Sequence, residues 1–167
     1  MISKSTFLNF TKVFLIALFF AVSAQAAATG VDISFDAAAY SSLNGQVRSV
    51  VVQPDGKILI GGHFSIVSGI ARAGIARLNA DGSVDTSFNP PEIYSGNGIA
   101  GGINAVGLQT NGKIILGGNA LTIDGGARRL IRLNADGSLD TSFYDYGGSI
   151  DRINDLKVMP NDKIVIG

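Results

Sequence analysis

The chain has 167 residues, with 13 Lys and Arg against 13 Asp and Glu, and neither Cys nor Trp. A balanced charge gives no electrostatic case for nucleic acid or an anionic membrane as partner. Without cysteine there are no disulfides, and stability has to come from packing and backbone ladders.

Residues 1–26 read as a secretory signal peptide. Lys4 and Lys12 form a positive leading region, residues 13–22 are an unbroken apolar run, and Ala24-Gln25-Ala26 supplies a small-x-small cleavage pattern. Ten apolar residues are too few for a stable membrane span, so removal rather than anchoring is expected. No Cys follows the cleavage site to carry a lipid. Export is therefore predicted, to the cell surface or the medium or alternatively the periplasm. Removing Lys4 and Lys12 leaves 11 basic against 13 acidic side chains, and the positive mean hydropathy is partly the leader's. Residues 27–167 suffice for one ordinary domain if it closes on itself.

After the leader the chain repeats. Residues 78–88, Leu-Asn-Ala-Asp-Gly-Ser-Val-Asp-Thr-Ser-Phe, return almost letter for letter at 133–143, and a partial copy stands at 30–35. A second block, 47–62, returns at 103–118 and again at 153–167. The offsets are 56 and 50 residues for one block and 53 and 55 for the other. A period in the low fifties is too long for leucine-rich or ankyrin units and suits a propeller blade.

Each repeat reads as two hairpins. Pro54-Asp55-Gly56 has Pro where a type I turn wants φ near −65° and Gly where φ turns positive. It sets Gln53 opposite Lys57, Val52 opposite Ile58 and Val50 opposite Ile60. The second copy turns at Thr110-Asn111-Gly112 and the third at Pro160-Asn161-Asp162, where Asp tolerates the left-handed conformation. The other hairpin is built around Ala80-Asp81-Gly82 and Ala135-Asp136-Gly137. With the usual glycine bulge, Arg77 falls across from Asp85 and Arg132 across from Asp140, predicting two cross-strand ion pairs worth about 0.2 to 1 kcal/mol each if exposed.

The strands are short and apolar on both faces, as in Val50-Val51-Val52 and Ile58-Leu59-Ile60. A sheet with one wet face would alternate, whereas one stacked between neighbours need not. No helix is evident after the leader. The fold class is all-β: four-stranded antiparallel blades of a β-propeller, in about two and a half repeats, with a β-sandwich as the alternative. The third copy stops at Gly167, where the earlier ones continue into their second hairpin. Further blades of the same protein are expected, and the 31–35 stretch matches the last strand of a blade.

The pairing of Gln-Pro-Asp-Gly-Lys-Ile-Leu-Ile-Gly-Gly with Ala-Arg-Leu-Asn-Ala-Asp-Gly-Ser-Val-Asp-Thr-Ser-Phe resembles the delta-60 repeat, a bacterial β-propeller family of unknown function. The resemblance covers about 30–167 and implies a blade on an exported, often very long protein. It supplies no catalytic residues.

Catalytic and ligand signatures are sparse. His63 is the single histidine, Asn119 takes its place in the next repeat, and no second imidazole or thiol stands by for a metal site or a nucleophile relay. Recurrent aspartates invite a calcium reading, but Arg77 occupies the position where a D-x-D-x-D-G loop needs its first carboxylate; turn chemistry accounts for them and no cofactor is predicted. The pairs Gly61-Gly62 and Gly117-Gly118 lack the Lys-Ser/Thr ending of a phosphate loop and mark close backbone approach or a bulge. The connection 89–102, rich in Pro and Gly, differs from its shorter counterpart 144–152, which carries Tyr144 and Tyr146. Variable connections on a regular scaffold are where such proteins bind. The functional expectation is an exported noncatalytic scaffold that contacts a protein or surface ligand. The alternative is part of a propeller hydrolase or lyase whose site draws on other blades.

Overall fold

The computed structural model describes residues 43–123, 125–143 and 152–167. The 1–26 leader, the 30–35 partial copy, Tyr144 and Tyr146 lie outside them. Each 47–62-type block makes an antiparallel hairpin. In the first repeat β1 (Gln46–Val52) pairs with β2 (Ile58–His63), Val52 opposite Ile58 and Val50 opposite Ile60. The turn is closed by the Gln53 N–H donating to the Lys57 carbonyl at 2.8 Å. A small hairpin of β3 (Ile66–Val67) and β4 (Ile70–Ala71) follows, and β5 (Ile75–Leu78) then adds to the free edge of β2.

The second repeat copies this order with β6 (Ile103–Leu108), β7 (Ile114–Ile123) and β8 (Gly126–Leu133). The third contributes β9 (Leu156–Val158) and β10 (Ile164–Ile166), paired antiparallel. Among the described residues there is no helix. In the first two repeats the fourth strand is reduced to a single antiparallel bridge, Leu78 to Val84 and Leu133 to Leu139.

The reason these apolar strands do not alternate lies in how the sheets stack. On β7, Ile114 and Leu116 face a core shared with Leu59, Ile75 and Phe88 of the first repeat. Ile115, between them, faces the other way, onto Ile153 and Leu156 of the third. The second sheet is thus covered on both faces, each buried Ile or Leu contributing about 1.5 to 3 kcal/mol. A two-layer sandwich has no sheet covered on both faces, so the alternative reading of the sequence fails here.

The doubled glycines set the spacing of the layers. A Cβ on Gly61 would overlap Val106 of the next sheet, and one on Gly117 would lie 2.8 Å from Ile153 Cγ2. Only a residue without a side chain lets the backbones approach so closely. A bulge recurs on the first strand of the first two repeats, at Arg48 between Val47 and Ser49 and at Asn104 between Ile103 and Ala105. Bulges re-aim the side chain they carry, and here both are turned towards the neighbouring repeat.

Candidate functional site

The ion-pair residues form a larger constellation in each repeat. In the first, the Asp85 N–H donates to the Arg77 carbonyl at 2.9 Å, and Arg77 Nε donates to Asp85 Oδ2 at 2.8 Å. Lys57 Nζ reaches the same oxygen at 2.7 Å, and Ser87 donates its hydroxyl to Oδ1 at 2.6 Å. The guanidinium carbon lies 4.7 Å over the Phe88 ring. The second repeat has Arg132, Lys113 and Ser142 around Asp140, with Arg132 4.6 Å over Phe143.

Burial raises the Asp85 carboxyl, but the hydrogen bonds from Lys57, Ser87 and Arg77 together outweigh it and hold it well below the usual range. Asp140 is lowered likewise, with Lys113 the largest cause. Asp85 and Asp140 are buried, so the 0.2 to 1 kcal/mol of an exposed pair does not describe them. Lys57 and Lys113 were not singled out from the sequence. Their recurrence directly after each first turn is the signal that could have found them.

The turn aspartates are satisfied locally. Asp81 Oδ1 accepts from the Ser83 N–H and hydroxyl at 2.9 and 2.7 Å, and Asp136 does the same with Ser138, which lowers both carboxyls. Asp55 accepts the Lys57 N–H and Asn111 the Lys113 N–H. Pro54 opens its turn, Gly56, Gly82, Gly112 and Gly137 take positive φ, and so does Asp162 in the third copy. Asp162 also reaches back one repeat, accepting the Thr110 N–H at 2.8 Å and its hydroxyl at 2.6 Å.

Polar groups converge where the bulged strands meet the strand ends. Arg48 Nη1 donates to Asn104 Oδ1 at 2.8 Å, and Asn104 Nδ2 donates to Asn119 Oδ1 and to the Ile153 carbonyl. His63 closes β2 beside them, its buried Nε2 without a partner among the described residues. Burial, then the charges of Arg48 and Arg152, lowers its pKa. No described residue forms a nucleophile or acid–base partner for it.

The connection 89–102 is an ordered element of its own. Ser95 N–H donates to the Ile99 carbonyl at 2.8 Å, and Tyr94 bridges both Ala100 and Thr122 of β7. This pins the segment to the second sheet and leaves Ile99 58 % exposed at its tip. On one side Ser95, Asn97 and Ile99 line a hollow of about 370 Å³ with His63, Asn119 and Arg152. On the other, Pro90, Pro91, Glu92 and Tyr94 line a hollow of about 530 Å³ with Ser65 and Arg72. The arrangement offers contact surface and hydrogen-bonding groups, and among the described residues no three potential metal-ligating side chains converge.

A family model described as a domain of unknown function (DUF5122) beta-propeller matches residues 53–88 and 109–143. Both matched stretches run from a first turn through the aspartate constellation, and the stacked sheets are β-propeller blades. No curated protein and no solved structure gives a significant match.

Proposed function

We propose that the chain is a delta-60-type repeat protein, exported through its 1–26 leader, that acts as a noncatalytic binding scaffold at the cell surface or outside it. Its ligand-facing element is the 89–102 connection. The observation that carries this reading is the position of that connection: it departs from the repeat, is pinned at Tyr94, presents Ile99 and borders both hollows. A merely linking segment needs none of this fixed geometry, whereas a recognition loop on a rigid scaffold depends on it. The partner is a protein or a surface ligand, and no cofactor takes part. The recurrent aspartates belong to the framework, each already bonded within its repeat.

The test is a photo-crosslinking residue at position 99 of the full chain, exposed to envelopes of the source cells, with position 81 as control. A saturable adduct from 99 and none from 81 supports the reading, and His63→Ala leaves it unchanged. Equal labelling from both positions, or no adduct from 99, rejects it. Export is checked by N-terminal sequencing of the accumulated protein, expected to begin at Ala27.

A further inference from the structure

The arginines divide by partner. Arg77 and Arg132 are tied to Asp85 and Asp140, whereas Arg48 and Arg152 have no carboxylate partner among the described residues. Both of these unpaired charges act on His63, which borders the hollow of about 370 Å³ beside the 89–102 connection. Arg152 is exposed and lines that hollow, and among the described residues no Asp or Glu lines it. The Arg152 backbone is bridged to Asn119, so its guanidinium is carried on a fixed base.

The neutral groups share this one-sided chemistry. Asn104 Nδ2 donates to the Ile153 carbonyl at 2.8 Å, which fixes the orientation of that amide. The same nitrogen donates to Asn119, so the accepting atom of Asn119 must be Oδ1. Asn97 Oδ1 accepts from the Ser95 hydroxyl. Each of these two amides thus has its acceptor taken and its N–H donors left over. A guanidinium and two amide donors call for a guest that only accepts and carries negative charge. Sugar hydroxyls would need acceptors in return, and among the described residues no Phe or Tyr lines the hollow for a ring to stack on. Ile99, 58 % exposed at the rim, adds an apolar contact beside the charge.

We propose that this hollow binds a carboxylate side chain of an acidic peptide segment with apolar neighbours, a proposal that rests on the 89–102 connection facing the ligand. Arg152 takes the two carboxylate oxygens in its planar fork, Asn97 and Asn119 donate to them, and Ile99 packs on the flanking apolar residue. His63 is a bystander, since its Nε2 is enclosed and gives the guest no hydrogen bond. As the single histidine it serves instead as a reporter of the site.

The probe is the blocked tripeptide Leu-Glu-Leu, titrated into the full chain and followed by the imidazole resonances of His63. Saturable binding of about 0.1 to 1 mM is expected. The bound carboxylate offsets the charges of Arg48 and Arg152, so saturation should raise the His63 pKa back towards 6.5. Replacing the peptide by Leu-Gln-Leu, and separately Arg152→Ala in the protein, should each weaken binding about tenfold, with the urea midpoint of the variant checking that it folds. Equal binding of Leu-Gln-Leu, or binding untouched by Arg152→Ala, overturns the proposal. So does displacement of the peptide by glucuronate or inorganic phosphate at lower concentration than by free Leu-Glu-Leu, which would make the site one for a sugar acid or a phosphate. No peptide binding while the position-99 adduct persists rejects the carboxylate site alone, and absence of both rejects the ligand-facing connection as well.

Discussion

The two aspartate constellations differ in one respect, the neighbour beyond them. Around Asp85 the next repeat's turn closes over the group, taking a bond from Arg77 and burying Phe88. Around Asp140 the same residues stand with Arg132 20 % exposed against 10 % for Arg77, and Arg132 Nη2 makes a 3.4 Å contact with its own Ser142 instead. The same constellation of residues therefore sits in unequal environments. What a repeat contributes is set by what is stacked on it, as nearest-neighbour coupling in repeat architectures requires.

The largest effect that probes this contrast is loss of the carboxylate. Asp85→Ala leaves the buried Arg77 with an uncompensated charge and should cost about 2 to 4 kcal/mol. Asp140→Ala should cost clearly less, because water reaches Arg132. Urea midpoints of the two variants read the difference directly. Equal losses would mean that the seated turn adds nothing to the pair.

A finer cut addresses the seat itself. Gly137 and Gly125 both have positive φ, so alanine at either is strained by about 1 kcal/mol. At Gly125 nothing lies within 4 Å of the added methyl, whereas at Gly137 it meets the Phe88 ring. Gly137→Ala should therefore lose about 1 to 2 kcal/mol beyond Gly125→Ala. Adding Phe88→Leu to both should narrow the gap, because it removes the ring that collides. A gap that persists would place the cost in the backbone alone.

The hairpins were readable because their determinants are local. Two residues of turn chemistry and a β-branched flank fix Val52 against Ile58 and carry Asp85 across from Arg77 without any knowledge of the tertiary fold. The covering of the second sheet on both faces also followed from its two-sided apolar strands, but β1 departs from that expectation, with Val50 and Val52 exposed on the outer face of the first sheet. The burial of Asp85 was not readable. It depends on Ala135 and Gly137, fifty or more residues away in sequence, and an Arg-Asp pair looks the same on paper whether wet or dry. The polar ladder from Arg48 through Asn104 to Ile153 was hidden for a related reason. Arg and Asn do not look equivalent until the bulges show them at one position of the fold. The 89–102 connection could be marked as irregular, but its pinning by Tyr94 to Thr122 is a tertiary bridge without a local signal.

Acidity offers a readout of the two constellations together. Asp85 and Asp140 both have folded-state values below the ordinary 3.8, so each favours the folded state above that pH. The contribution is lost as pH falls below 3.8 towards the folded-state values, because the unfolded chain takes up protons first. Stability should thus drop steeply below about pH 4, and the double variant Asp85→Asn, Asp140→Asn should flatten that limb while being less stable at neutral pH. An unchanged acid limb would assign it to other carboxylates.

The smallest effect concerns His63, whose sign is the same for a different reason. Its pKa lies below the ordinary 6.5 because burial, Arg48 and Arg152 all disfavour the imidazolium. The folded chain therefore resists protonation while the unfolded chain accepts it, and stability begins to fall as pH drops below 6.5. The second repeat avoids this with Asn119, which occupies the equivalent position within β7 and accepts from Asn104 without titrating. His63→Asn should accordingly remove the slope between about pH 6.5 and 5 and leave the steeper carboxylate limb in place. If the slope survives the substitution, the buried imidazole is not its source, and the crowding of Arg48 and Arg152 at the strand ends has to be relieved by some other group.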